Sequence, residues 1–273
     1  MKLATLRLPG RTSAARVDGE YAVEIGASDV GALLAEPGWH GRAAAADGPR
    51  HPLAGADLAP VVPHPGKIIC VGLNYRTHIL EMGRELPAYP TLFAKFADAL
   101  IGPYDDIVLP AVSEAMDWEA ELAVVIGTEV RHASPEQAQA AIAGYSVLND
   151  VTARDYQYRT LQWLQGKTFE STTPFGPYLV TPDELDGAPT MQCEIDGEVV
   201  QQADTADLVF SPAELIAYLS QILTLRPGDV IATGTPGGVG HARKPPRYLA
   251  DGDKIVTRIA GIGELVNVAR HDG

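Results

Sequence analysis

The sequence predicts a β-rich α+β fold. Three observations carry that expectation: short segments of strand character dominate, helical segments are few, and no regular strand–helix–strand alternation appears. A doubly wound sheet or a TIM barrel would need that alternation. Leu3 to Leu8 and Tyr21 to Ile25 read as strands around an Asp18-Gly19 turn. Residues 36–65 change character, with six prolines from Pro37 to Pro65 mixed with Gly and Ala, and read as a connector. The chain is thereby expected to divide into a small N-terminal α/β segment with its connector, residues 1–65, and a main domain, residues 66–273. In the main domain KIICVG and AELAVVIG read as buried strands, the second ending at Gly127. Ser134-Pro-Glu-Gln137 has capping-box spacing and predicts a helix through about Ile142. Ser211-Pro-Ala-Glu214 repeats the signature and opens a helix with Leu215, Ile216, Leu219, Ile222 and Leu223 on one stripe. Asp196-Gly197 marks a two-residue hairpin turn, and the chain ends in strand and turn from Asp229 onward.

Composition narrows the function classes. The 273 residues are 46% hydrophobic, which suffices for a packed core, and carry a net charge of −14 with a pI near 4.8. No basic cluster is present, so a nucleic-acid partner is not expected. Cys70 and Cys193 lie far apart in apolar contexts and read as buried thiols, not as a disulfide framework or a zinc site. Arg7 and Pro9 interrupt the N-terminus before any long apolar run, against a signal peptide. No stretch approaches the roughly 18 apolar residues of a membrane span. A cytoplasmic location is the expectation that remains.

The chemistry concentrates in five places. In Asp117-Trp-Glu-Ala-Glu-Leu-Ala, a strand would point Glu119 and Glu121 to one face, because side chains alternate with period two. Two adjacent carboxylates repel unless compensated, and a hard divalent cation is the usual compensation. A solvated acidic face fits the same spacing. The segment YSVL runs directly into Asn149-Asp150, so Asp150 stands at a strand end where it could complete a carboxylate triad or cap the next segment. Arg154 and Asp155 read as structural ion pairs. In Asn74-Tyr-Arg-Thr-His78-Ile-Leu-Glu81-Met-Gly83, Asn74 can cap a short helix and Gly83 can end it. His78 and Glu81 are then neighbours at i and i+3, either a general-base pair or an incidental surface contact. Lys167 comes after Gly166 in a polar turn and could bind a substrate carboxylate or oxyanion, or be an ordinary surface lysine. Thr233-Gly-Thr235-Pro-Gly-Gly-Val-Gly240 lacks the lysine of a phosphate loop and reads as a tight turn whose Thr235 hydroxyl can face a ligand.

Taken in order, VGLNYxxHxxE, ExELAVVIG, GYxVxNDxTARDxQ, GKxF and LxPGDVIxTGTPxGVG resemble the fumarylacetoacetate hydrolase superfamily, over about residues 66–268. The resemblance implies a mixed β-sandwich roll, a homodimer, and one Mg²⁺ or Mn²⁺ per subunit on Glu119, Glu121 and Asp150. It implies that His78 and Glu81, on a segment closing over the site, activate water. It implies that Lys167 and Thr235 contact the substrate, with Gln157 and Lys95 also on the substrate side. The sequence departs from many relatives at Phe96, where they carry Pro after the lysine, and at Glu170, where they often carry Asp. The implied substrates are small anionic oxo acids. The expected reaction is hydrolysis of a C–C bond in a 2,4-dioxo acid of the acylpyruvate or fumarylpyruvate type, because HxxE is retained and only hydrolysis requires an activated water. Oxaloacetate-type decarboxylation and 2-hydroxymuconate-type isomerisation pass through the same enolate and are the alternatives.

Overall fold

The computed structural model describes residues 1–272. Two sheets dominate. The larger has eleven strands, and its spine runs Arg50–Pro52, Tyr21–Glu24, Arg11–Asp18, Lys2–Leu8, Thr173–Val180, Ile142–Asn149, Ala120–Ile126, Val230–Ala232, Ile68–Gly72, Thr91–Lys95. The smaller has five, in the order Glu198–Asp204, Thr190–Ile195, Lys254–Ile259, Gly263–His271, Ile107–Leu109. Most pairings are antiparallel, but Val230–Ala232 runs parallel to Ile68–Gly72 and Gly263–His271 parallel to Ile107–Leu109. The fold is therefore β-rich α+β with mixed sheets, as the sequence predicts.

Local chemistry explains the elements it was expected to explain. Ile195 pairs with Glu198 across Asp196 and Gly197, which both have positive φ (52° and 81°), the geometry of a type I′ hairpin turn. Both capping boxes form: Ser134 opens Pro135–Ala140 and Ser211 opens Pro212–Ile222. The first helix stops two residues short of the expected end at Ile142, because Ile142 already pairs with Ile126 in the large sheet. The strand Arg11–Asp18 and the short helix Trp39–Ala44 were not anticipated. The helix interrupts the stretch read as connector.

The N-terminal strands extend the large sheet itself, because Lys2 and Leu3 pair with Val180 and Leu179. Leu33 and Leu34 pack with Ala123 and Val125 of the central strand. The alternate residues, Val124 and Ile126, pack under the helix Pro212–Ile222 with Leu215 and Leu219. Ala120–Ile126 is buried on both faces, which is why it reads as an unbroken apolar run after Glu121. A third core, holding Trp118, Val147, Ile195 and Ile255, joins the two sheets. No helix among the described residues is long and apolar enough to cross a membrane.

Candidate metal centre and catalytic cavity

The register of two central strands builds the carboxylate cluster. Ala120 pairs with Asn149, so the residues just beyond that pair, Glu119 and Asp150, come together, and the Asp150 N–H donates to the Glu119 carbonyl at 2.8 Å. The Asn149 side chain accepts from the Glu119 N–H at 2.9 Å and donates to Thr257 Oγ1 at 2.9 Å, tying this strand end to the smaller sheet. Oxygens of Glu119, Glu121 and Asp150 lie within 4.8 Å of one another, and all three residues are buried. Burial and the charges of Asp150 and Glu119 push the Glu121 carboxyl well above its ordinary range. Its one hydrogen bond among the described residues comes from the Gly234 N–H at 2.8 Å. A buried set of three convergent carboxylates, one of them poorly compensated, fits a hard divalent cation. Carboxylate oxygens carry enough lone pairs to accept hydrogen bonds and ligate a cation together.

Three cations brace the cluster from behind. Lys167 Nζ donates to Glu119 Oε2 and Asp150 Oδ2, each at 2.7 Å, and Lys95 Nζ donates to Asp150 Oδ1 at 2.6 Å. Arg154 reaches Glu119 Oε1 at 2.7 Å and Asp117 Oδ2 at 2.8 Å. These residues are 1%, 3% and 5% exposed, so their pairings are shielded from water. Burial works against the charge on Lys167, but Asp150 and Glu119 outweigh it and hold the ammonium above its ordinary range. Burial likewise opposes the Asp150 charge, and the two lysines overcome it. Lys167 is placed by close packing, because a Cβ on Gly166 would lie 2.5 Å from the Ala153 carbonyl and the Gln157 nitrogen.

In front of the cluster lies a cavity of about 280 Å³ whose walls include His78, Glu119, Glu121, Arg154, Gln157 and Thr235. Five of the residues predicted from the sequence therefore share one space: His78, Glu119, Glu121, Gln157 and Thr235. Asp150, Glu81, Lys95 and Lys167 are not among the residues lining it, and the two lysines stand behind the carboxylates. Hydrogen-bond accounting leaves donors for a ligand. Gln157 Oε1 is taken by Arg154 Nη1 at 2.9 Å, leaving its NH₂. Thr235 Oγ1 accepts from Gln201 at 2.8 Å, leaving its O–H. Such a wall suits an anion.

His78 and Glu81 lie on the short helix Arg76–Glu81. Asn74 does not cap it. Its side chain instead bonds Phe210 and Thr233, anchoring the root of the segment, while Asp207 receives both the N–H and the hydroxyl of Thr77 at 3.0 Å. Gly83, with φ 68°, ends the helix as expected. Both side chains cover Gly237: a Cβ there would meet His78 Nδ1 at 3.1 Å and Glu81 Oε2 at 3.6 Å. Burial lowers the His78 pKa, and Arg84 adds to the effect, against the pull of Glu81 and Glu119. His78 is thus neutral at neutral pH and able to accept a proton. Gly237→Ala should displace the ring by a few tenths of an ångström. Activity should fall roughly tenfold, since a 1 Å misplacement can cost about 10²-fold. Steady-state kinetics beside an unchanged melting curve would show it, and full activity would mean that the ring's position is not critical.

The structural ion pair that the sequence predicts for Arg154 is present, but the same guanidinium also lines the cavity. Asp155 takes a hydrogen bond from Ser113 and has no cationic partner among the described residues. Asp117 was missed altogether. Its two oxygens accept from Trp118 N, Gly240 N, Arg154 Nε and His241 N, locking the glycine-rich turn to the cluster. A lone aspartate before Trp carries no sequence signal for that role.

Residues 67–270 match the family described as fumarylacetoacetate (FAA) hydrolase, C-terminal. The human mitochondrial oxaloacetate tautomerase FAHD2A is 47% identical over 214 residues, covering 77% of this chain and 68% of its own. The fumarylacetoacetate hydrolase of psychrophilic Exiguobacterium antarcticum superposes with a TM-score of 0.89 at 34% identity over all of both chains. Maleylpyruvate hydrolase from Sphingobium sp. SYK-6, solved with manganese(II) and pyruvate, superposes at 0.83 and 30% identity, again over all of both chains.

Proposed function

Because the chain belongs to the fumarylacetoacetate hydrolase family, we propose that it is a divalent-metal enzyme that interconverts the keto and enol forms of a small 2-oxo acid, oxaloacetate foremost. The carrying observation is a half-buried His78, its pKa lowered by burial, in the same small cavity as the carboxylate cluster. The cavity lies at the lower end of ligand-pocket volumes, which favours a short acid. FAHD2A, named an oxaloacetate tautomerase, supports the choice of substrate. In this reading Glu119, Glu121 and Asp150 hold one Mg²⁺ or Mn²⁺ per subunit. Bound there, the cation supplies a Lewis acid for the oxo and carboxylate oxygens of the substrate. The free donors of Gln157, Thr235 and Arg154 orient the carboxylate. His78 removes a proton from C3, the C–H electron pair becomes the C2–C3 double bond, and the oxo oxygen gains a proton; the reverse sequence regenerates the ketone. Lys167 and Lys95 keep the cluster charged and in place.

C–C hydrolysis of an acylpyruvate or fumarylpyruvate is the second reading, favoured by one observation: Glu81 lies beside His78 over Gly237, a pairing that could activate water. It ranks second because Lys167, the cation expected to steady developing charge, is committed to Glu119 and Asp150. Purified protein with Mn²⁺ should be offered enol-oxaloacetate and an acylpyruvate, with decay of the enol absorbance, pyruvate release and CO₂ release followed together. Tautomerisation should have the largest kcat/KM. Acylpyruvate cleavage exceeding it would install the hydrolase reading, and dominant CO₂ release a decarboxylase. A homodimer belongs to the same reading. Tyr158 at the cavity wall, Leu161 at 97% exposure and Phe96 offer apolar surface that a second copy would cover. A single-copy mass in sedimentation analysis would remove that part.

A further inference from the structure

Charge accounting around the cavity leads to a group that no motif singles out. The buried cluster holds four carboxylates, Asp117, Glu119, Glu121 and Asp150, against three cations, Lys95, Lys167 and Arg154. A divalent cation turns that deficit into an excess of one positive charge, which the carboxylate of a 2-oxo acid neutralises. The floor of the cavity is then balanced. A second carboxylate on the same ligand would need a cation from outside the cluster, since an unpaired charge in a confined site is costly.

Arg84 is such a cation. It lines the same cavity, and its guanidinium makes no ion pair or hydrogen bond among the described residues. The chain delivers it there by helix termination. Gly83, with φ 68°, reverses the backbone after Glu81, and the Arg84 N–H closes back onto the Ile79 carbonyl at 3.2 Å. His241 lines the cavity too. Its backbone N–H is fixed by Asp117 at 3.0 Å, and its Nδ1 lies 2.9 Å from the Tyr248 hydroxyl. When Tyr248 donates to Nδ1, the ring proton resides on Nε2, leaving a donor for an anion.

We infer that Arg84 and His241 form a second carboxylate subsite, which makes the cavity selective for 2-oxo dicarboxylates over monocarboxylates. The inference rests on the reading of the floor as the place where a 2-oxo acid meets the metal. Arg84 supplies the charge and His241 a directional hydrogen bond. Because Arg84 comes directly after the His78 helix, a dicarboxylate held by it also holds that helix over the floor.

The test uses binding without turnover. Malate and lactate share a carboxylate and a vicinal hydroxyl, and only malate has a second carboxylate. In calorimetry with the Mn²⁺-loaded protein, malate should bind more tightly than lactate. Arg84→Gln should weaken malate roughly tenfold or more while leaving lactate in place. Arg84→Lys should recover part of the loss, and His241→Phe should cost malate roughly threefold. Arg84 is exposed, so these variants retain the fold. Equal weakening of both ligands, an unaffected malate affinity, or a wild-type protein that does not prefer malate would each overturn the subsite. Failure of the wild-type protein to tautomerise oxaloacetate would sink the proposed reaction and leave this comparison standing, so the two ideas fail separately.

Discussion

Asp150→Ala is expected to destabilise the fold by about 3–5 kcal/mol, the usual consequence of removing one partner from a buried ion pair. Asp150 accepts from both Lys95 and Lys167, at 2.6 and 2.7 Å, and all three residues are almost fully buried. Without it, Lys95 loses its only ion-pair partner among the described residues and Lys167 retains only Glu119. Glu121→Gln should behave in the opposite way. Burial and its charged neighbours already favour the protonated Glu121 when no cation is present, and a glutamine reproduces that neutral shape. The metal-free variant should therefore be as stable as the wild-type protein in EDTA. Its Mn²⁺ affinity should fall by more than the roughly 10–100-fold typical of losing a supporting contact to a ligand. Denaturant titration in EDTA, with calorimetric Mn²⁺ titration of the same samples, separates the two effects. An Asp150→Ala protein as stable as wild type would refute the bracing role of the lysines. Undiminished Mn²⁺ binding by Glu121→Gln would remove the cation assignment.

His78→Ala should cut tautomerisation by about 10²–10⁴-fold, the usual contribution of a general base. Metal and malate affinities should remain near their wild-type values. The pH profile gives an independent readout. A base must be unprotonated, so kcat/KM falls as pH drops through the His78 pKa. Burial holds that pKa below its ordinary value of about 6.5, so the midpoint of the acid limb should fall below pH 6.5. The acid limb should disappear from whatever activity His78→Ala retains. An unchanged rate in that variant, or the same acid limb in its residual activity, would place the base elsewhere. Acylpyruvate cleavage measured on the same variant shows whether hydrolysis relies on the same ring.

Much of the site is legible in the sequence because it is local. Glu119 and Glu121 share a face through strand alternation, and Asp150 stands where a strand runs into it. The two capping boxes and the Asp196-Gly197 turn specify their own geometry within four residues. The N-terminal region was harder. Arg11–Asp18 mixes charged and small residues, and Trp39–Ala44 is a short helix without a side-chain cap, held by tertiary packing. Asn74 shows the limit of a local rule, since its position before a helix suggests a cap while its side chain serves Phe210 and Thr233.

The sequence by itself determined the β-rich fold class, the ordered motifs and the three carboxylates, because alternation, capping and turn chemistry act over a few residues. Only the tertiary structure decided what those carboxylates face. Tertiary packing brings Lys95, on a strand, and Lys167, on a short helix, behind Asp150 and binds Arg154 to both Asp117 and Glu119. It also sets Arg84 and His241 on the cavity wall, their side chains without a carboxylate partner among the described residues. A lysine reads the same in a sequence whether it meets substrate or braces a buried acid. The difference arises from which segments pack together, and so from hydrogen bonds and burial between residues far apart in the chain.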